Sequence, residues 1–154
     1  MTNVRSLVAG TLVAVAFVLS PVLAAGSAPT IFGRWKVVAS TVAPWVSADE
    51  AKAVDQTELK GKTIVFANKR IKSNSVLGCD HVNYEPIDYE ADALFQGGLP
   101  APAEPAARKL GFLQFPVPSV SVNCDTGIFE YHFLDDDTIL VALNDVIWTL
   151  KRSH

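Results

Sequence analysis

The chain has 154 residues, with 13 basic and 16 acidic side chains and a formal net charge of −3 at pH 7. This mildly acidic balance argues against nucleic acid or an anionic lipid surface as the main partner, because both attract basic proteins. The length suits a single domain with one hydrophobic core and is too short for two domains of ordinary size.

The N-terminal segment has the pattern of a secretory signal peptide. Arg5 precedes a mainly apolar run over residues 7–19, and small residues follow that run. The run is shorter than the roughly 20 apolar residues that a helix needs to span a bilayer core. We therefore expect residues 1–25 to be removed on export, with no stable membrane anchor left behind. Residues 26–154 would then form one domain in the periplasm or outside the cell.

The first strand is predicted over residues 31–43, where β-branched and aromatic residues are frequent. It should end before Pro44, which cannot donate a hydrogen bond to a sheet. Ser47 and Glu50 then match a capping box, in which each side chain bonds the backbone of the other. This motif predicts a short helix over residues 48–58.

A basic hairpin is predicted next. Residues 62–67 and 70–76 read as two strands joined by a turn at Asn68 and Lys69. Several lysine and arginine side chains crowd this hairpin, and such charges commonly protect an exposed sheet edge and aid solubility.

The middle of the chain is acidic and irregular. A strand is predicted over residues 81–90, broken near Pro86, and a helical turn over residues 91–95. Residues 99–105 contain three prolines and two alanines and are expected to form a stiff surface loop.

The C-terminal part has the clearest pattern, with four short strands separated by Asp- and Asn-containing turns. The strands are expected over residues 117–124, 127–134, 138–143 and 145–151. Together with the earlier strands they total about eight, at a spacing typical of small barrels. The predicted fold is all-β: a small antiparallel barrel of about eight strands with one or two short helical turns.

One disulfide is expected in this domain. Cys79 and Cys124 are the two cysteines of the chain, and an even pair in an oxidising compartment most simply forms one bridge. Two free or metal-bound thiols are the alternative. The absence of a C-x-x-C pattern argues against a thiol–disulfide oxidoreductase.

Gly33-Arg34-Trp35 resembles the Gly-x-Trp of the first strand in lipocalins and related calycin barrels. In those barrels the Trp closes one end and packs beneath an Arg that follows the last strand. Arg152 stands at the corresponding place here. The resemblance implies a lipocalin-like barrel that Trp35 and Arg152 close at one end.

Two further resemblances concern small exported barrels. Residues 61–66, together with Gly78-Cys79-Asp80, are similar to META-like domains. Size, compartment, a single disulfide and an acidic surface are similar to periplasmic lysozyme inhibitors of the c-type class.

No metal site, cofactor or catalytic motif is predicted. Asp80 and His81 would point to opposite faces of a strand, and the three aspartates at residues 135–137 fit a solvated turn. Nucleophile-elbow, phosphate-loop and zinc-helix motifs do not occur. An enzyme is therefore not expected. A small envelope hydrolase that uses acidic residues such as Asp88 and Glu90 is kept as an alternative.

Aromatic residues are the best candidates for contact with a ligand or partner, and four are selected: Trp45, Tyr84, Phe95 and Trp148. We expect a monomeric, non-catalytic exported binding protein. If the barrel is hollow, its ligand would be small and apolar. If the interior is filled, an interaction module or an inhibitor of an envelope enzyme such as lysozyme is the alternative.

Overall fold

A computed structural model describes residues 29–153, so the predicted signal peptide lies outside the described residues. Within residues 29–153, no helix is long and apolar enough to cross a membrane.

The described residues form one antiparallel sheet of eight strands, which curls into a nearly closed barrel. The spatial order is β3-β2-β1-β8-β7-β6-β5-β4. The predicted fold class is confirmed. The strands are β1 (Gly33–Val42), β2 (Thr63–Ala67), β3 (Arg70–Lys72), β4 (Val82–Tyr89), β5 (Val117–Cys124), β6 (Gly127–Asp135), β7 (Thr138–Leu143) and β8 (Val146–Arg152).

The seam between the two end strands, β3 and β4, is joined by Cys79. Its backbone exchanges two hydrogen bonds with Ile71 of β3, at 2.7 and 2.9 Å. Its side chain forms the expected disulfide with Cys124 of β5, with the Cα atoms 5.7 Å apart. Because Cys124 also pairs with Val82 of β4, the bridge fastens β3, β4 and β5 together at one end of the seam.

The C-terminal meander follows the sequence pattern closely. All four strands lie within one residue of their predicted bounds. The turn between β7 and β8 places Asn144 and Asp145 at positive φ, 50° and 62°. This left-handed pair gives the twist that a two-residue hairpin turn needs, and Asn and Asp adopt it more readily than most residues.

The predicted helix over residues 48–58 is wrong, since only one 3-10 turn forms, Glu50–Ala53. The capping box itself is present: the Ser47 N–H donates to Glu50 Oε2 at 3.3 Å, and the Glu50 N–H donates to Ser47 Oγ at 3.4 Å. The chain then becomes extended at Val54. Asp55 accepts hydrogen bonds from the Thr57 N–H and hydroxyl, so a local side-chain motif replaces the helical ladder.

The predicted break at Pro86 is also wrong, because β4 runs through it with Pro86 opposite Val120. Proline is tolerated there since β4 is a sheet edge, where a backbone N–H is not needed on the open side. The second strand of the basic hairpin is shorter than expected, three residues rather than seven.

The predicted stiff loop over residues 99–105 is wrong in its second half. Helix α1 (Ala103–Lys109) starts inside it, after Pro102. Pro105 lies in the first helical turn, where the missing N–H costs no helical hydrogen bond. The predicted turn over residues 91–95 forms at its start, where the Ala93 N–H donates to the Glu90 carbonyl at 3.0 Å. A second tight turn, Leu94–Gly97, follows with Phe95 and Gln96 in the left-handed region.

Two hydrophobic clusters are separated by the barrel wall. The first receives side chains from all eight strands and therefore fills the barrel interior. Aromatic rings meet across this interior, Trp35 with Phe133 at 6.4 Å and Phe66 with Tyr131 at 5.0 Å between centroids.

The second cluster lies on the outer face of the barrel. It forms where residues 90–116, the connection between β4 and β5, pack over the outside of β6, β7 and β8. We call this connection the covering segment. It buries Leu140 and Ile147, which point away from the interior. Strand β7 is consequently buried on both faces over most of its length.

Candidate functional site

The four aromatic residues selected from the sequence do not form one site. Trp148 is 1% exposed and belongs to the interior cluster. Tyr84 is half-buried on β4 and donates its hydroxyl to the Ala67 carbonyl at 2.9 Å. Burial raises the pKa of Tyr84 to about 12. Trp45 and Phe95, in contrast, come together outside the barrel with their ring centroids 5.9 Å apart.

Trp45 and Phe95 form one wall of a surface pocket of about 460 Å³. The floor is the outer face of the sheet, with Glu130 and His132 of β6. The turn between β7 and β8 contributes Asp145 at the rim. The pocket thus lies at the edge of the covering segment, beside the exposed surface of the sheet. It is separate from the barrel interior.

The Phe95 wall is built on a strained turn. Phe95 and Gln96 have φ values of 53° and 59°, a left-handed conformation that L-residues with a Cβ adopt at a cost. Runs of two such residues persist only where the surroundings hold them, and they concentrate at binding and switch regions.

His132 holds this turn from below. It is fully buried, its Nε2 accepts a hydrogen bond from the Phe95 N–H at 3.4 Å, and its ring packs edge-on against Phe95 at 4.7 Å. Because Nε2 is the acceptor, the proton is assigned to Nδ1, which donates to Ser119 Oγ at 2.9 Å. The Ser119 hydroxyl donates a hydrogen bond to the Val117 carbonyl at 3.1 Å.

This network engages both nitrogens of the imidazole and the hydroxyl proton of Ser119. A serine nucleophile needs a histidine nitrogen that is free to accept its proton. Here Nδ1, the nitrogen that faces Ser119, carries the proton, and Nε2 is occupied by the Phe95 N–H. Desolvation lowers the pKa of His132 to about 3, so the ring is neutral in the folded protein at neutral pH. The Ser119–His132 pair therefore positions the pocket wall.

Trp45 is positioned by two contacts. Its indole N–H donates to Asp145 Oδ1 at 3.1 Å. Its ring lies directly against Gly98, where a Cβ would come within 2.9 Å of Trp45 Cε3 and 3.1 Å of the Phe95 carbonyl oxygen. Only glycine at position 98 leaves room for the indole and the strained turn at the same time.

The charged groups of the pocket are acidic. Glu130 Oε1 accepts a hydrogen bond from the Tyr89 hydroxyl at 2.8 Å, while its Oε2 is buried with no partner among the described residues. Desolvation, and then the Glu130 carboxylate, raise the pKa of Tyr89 to about 12. None of the residues that line the pocket, all in the described part of the chain, is Lys or Arg.

No family model, curated protein or solved structure matches this chain.

At the opposite end of the barrel, Arg152 stacks on Trp35. The guanidinium carbon lies 4.2 Å from the ring centroid, the contact that the lipocalin resemblance implies. The same group donates to the carbonyls of Thr30, Phe32 and Asp136 at 2.6, 2.8 and 3.0 Å. It thereby ties residues 30–32, which precede β1, to the β6–β7 turn.

The glycine of Gly-x-Trp has a clear reason in this structure. Gly33 has a φ of 121°, and a Cβ there would lie 3.2 Å from Nη1 of Arg152. The motif thus combines a backbone conformation that glycine favours with space for the arginine.

The acidic candidates from the sequence lie elsewhere. Asp88 and Glu90 are exposed and do not line the pocket. Within residues 29–153, no group of three His, Cys, Asp or Glu side chains could hold a metal ion.

Sequence reasoning missed Glu130, His132 and Ser119 as site residues. They occupy outward positions on β5 and β6, and polar residues at such positions normally face water. The covering segment, which comes from another part of the chain, buries Ser119 and His132. No local pattern on β5 or β6 signals this.

Proposed function

We propose that the protein is a non-catalytic binding protein of the periplasm or cell exterior that takes a small ligand in the Trp45–Phe95 pocket. The observation that carries this proposal is the wall itself: two aromatic rings held beside a concave floor by a strained turn, a buried histidine and a glycine contact. Pockets of about 300–1,000 Å³ with aromatic walls and a few fixed polar groups are typical of small-ligand sites.

The filled interior supports a site outside the barrel. Ring contacts reach across the barrel, and large side chains such as Trp35, Phe66 and Trp148 occupy its centre. A lipocalin-like carrier would need that volume for its ligand. The disulfide is in keeping with an oxidising compartment, where such bridges persist.

The three tryptophans provide a direct test, because they report on different places. Trp45 lies in the pocket, whereas Trp35 and Trp148 lie inside the barrel. Trp148 Nε1 and the Tyr131 hydroxyl are buried without hydrogen-bond partners among residues 29–153, so the Trp148 signal should respond to any polar ligand group that enters the interior.

The experiment is a fragment screen on the folded protein labelled with 5-fluorotryptophan, followed by fluorine NMR. Single Trp→Phe variants assign the three signals. Ligands of the proposed site shift the Trp45 signal in a saturable way and leave the other two unchanged. Saturable shifts of Trp148 or Trp35 alone would favour a lipocalin-like carrier, and a screen that moves no signal would reject both sites.

An interaction module is supported by a separate observation. Leu113 is 80% exposed at the end of the covering segment, and Ile128 is 56% exposed at the pocket rim. Exposed apolar side chains mark a protein interface when they form one patch, and the substitutions below test whether these two belong to one. Leu113→Ser and Ile128→Ser should then weaken capture of one partner from an envelope extract, while Val76→Ser, at a third exposed site, should not.

A further inference from the structure

We propose that the pocket recognises a small organic cation: an ammonium group attached to an apolar body. This inference rests on the proposed function and names its ligand class. It follows from the charges of the pocket and from the faces of its two aromatic rings.

The first argument is an uncompensated carboxylate. Glu130 is half-buried on the pocket floor, and its only hydrogen-bond donor among the described residues is the neutral hydroxyl of Tyr89. The ion pairs of the described residues are Lys52–Asp49, Arg108–Glu104 and Arg152–Asp137, so Glu130 belongs to none. A carboxylate oxygen that is buried without a donor is costly, and a bound cation would supply that donor.

The second argument concerns the rim. Asp145 accepts the Trp45 indole N–H through one carboxylate oxygen, and it forms no ion pair among the described residues. Glu130 and Asp145 therefore surround the pocket with two negative charges and no positive one within the described chain. An anionic ligand would be repelled, and a neutral ligand without a donor would leave the buried Oε2 of Glu130 unpaired.

The third argument is the aromatic wall. Trp45 and Phe95 both line the pocket, with their ring planes inclined to each other by 46°. The faces of aromatic rings carry negative potential and attract ammonium groups, tryptophan most strongly. Rings and carboxylates together favour a cation that also carries an apolar surface.

A free small molecule suits the site better than a side chain of a partner protein. The pocket has the volume of a small-ligand site, and its walls are fixed before any ligand arrives. We therefore commit to a small amine as the ligand.

The test compares benzylamine with benzyl alcohol, which has a similar shape and no charge, by titrating the Trp45 fluorine signal at neutral pH. We expect benzylamine to bind about tenfold or more tightly than the alcohol, and added salt to weaken benzylamine binding only. In Glu130→Gln the advantage of benzylamine should shrink several-fold, because one of the two carboxylate charges is gone while Asp145, the aromatic wall and the shape remain. Glu90→Gln removes an exposed carboxylate outside the pocket and should keep the advantage.

The outcomes separate this proposal from the proposed function. Equal binding of the two probes, or tighter binding of methyl glucoside, would overturn the cation and leave the pocket as a ligand site. Tighter binding of Nα-acetyl-lysine methylamide, which presents a lysine ammonium, than of benzylamine would overturn the small amine in favour of a protein side chain. If no fragment moves the Trp45 signal, the proposed function itself fails.

Discussion

The barrel interior and the outer layer are both well packed, but they obtain their order in different ways. Inside, alternate residues of every strand point to one centre, and cross-barrel pairs such as Trp35–Phe133 fill it. Outside, one connection between two strands covers part of the wall and holds polar groups such as His132 beneath it. The interior therefore contributes the main hydrophobic core, and the outer layer determines the shape of the pocket.

The largest expected effect is on the interior. Trp35→Ala should lower the free energy of unfolding by about 3–5 kcal/mol, because it removes a fully buried ring. Chemical unfolding measures this loss. Arg152→Lys should also lower the free energy of unfolding, because an ammonium cannot stack as a plane or reach three carbonyls at once. Its effect should be smaller than that of Trp35→Ala, since no buried ring is removed. If the losses in the double variant are simply additive, the stacking contact contributes no coupling energy.

Removing the disulfide should also destabilise the barrel rather than the pocket. Replacing both cysteines by serine opens a loop between residues 79 and 124, and the chain-entropy estimate for it is about 4 kcal/mol. Chemical unfolding gives the loss, and the mass of the non-reduced protein checks the bridge. Two freely alkylated thiols in the exported protein would contradict it.

The outer layer should make stability depend on pH. The folded pKa of His132, about 3, is below its ordinary value of 6.5, so the unfolded chain binds more protons between these values. Above about pH 6.5 the ring is neutral in both states, and the free energy of unfolding does not depend on it. Below that pH the free energy of unfolding should fall by about 1.4 kcal/mol per pH unit as the pH decreases towards 3.

Unfolding curves at several pH values measure this slope, and His132→Gln should reduce it relative to the wild type. His81→Gln, which changes an exposed histidine, is the matched control and should keep the wild-type slope. The same slope in His132→Gln and wild type would show that the buried ring does not titrate as the structure implies.

The smallest effect on stability and the most local one is expected at Gly98. Gly98→Ala places a methyl group 2.9 Å from the Trp45 ring, so the indole must move. The fluorine signal of Trp45 should shift while those of Trp35 and Trp148 stay in place, with a stability loss of about 1 kcal/mol. Equal shifts of all three signals would show that the two layers are not independent.

The elements that sequence reasoning predicted best are those whose cause is local. The strands of the C-terminal meander alternate apolar and polar residues over short stretches bounded by turn residues, and their bounds were right within one residue. The prediction of a helix over residues 48–58 was wrong. The capping box starts a turn, but the Asp55–Thr57 side-chain bonds then replace the backbone bonds that a longer helix would need.

The candidate site was predicted only in part. Trp45 and Phe95 were selected as aromatic residues next to Pro44 and the glycines at 97 and 98, which is a local signal. Tyr84 and Trp148 were selected by residue type alone, and they lie on β4 and in the interior instead. Glu130 and His132 carried no signal, because polar residues on an outward strand face are ordinary.

By itself, the sequence determined the all-β class, the eight-strand count and the disulfide, since strand alternation, turn residues and cysteine parity act within short stretches or by simple pairing. The tertiary structure alone decided that the barrel is filled and that residues 90–116 cover its outer wall. The physical reason is that burial of an outward face depends on which distant segment packs on it. Which segment packs there depends on the packing of the whole domain, and it does not change the alternation of apolar and polar residues in the covered strand.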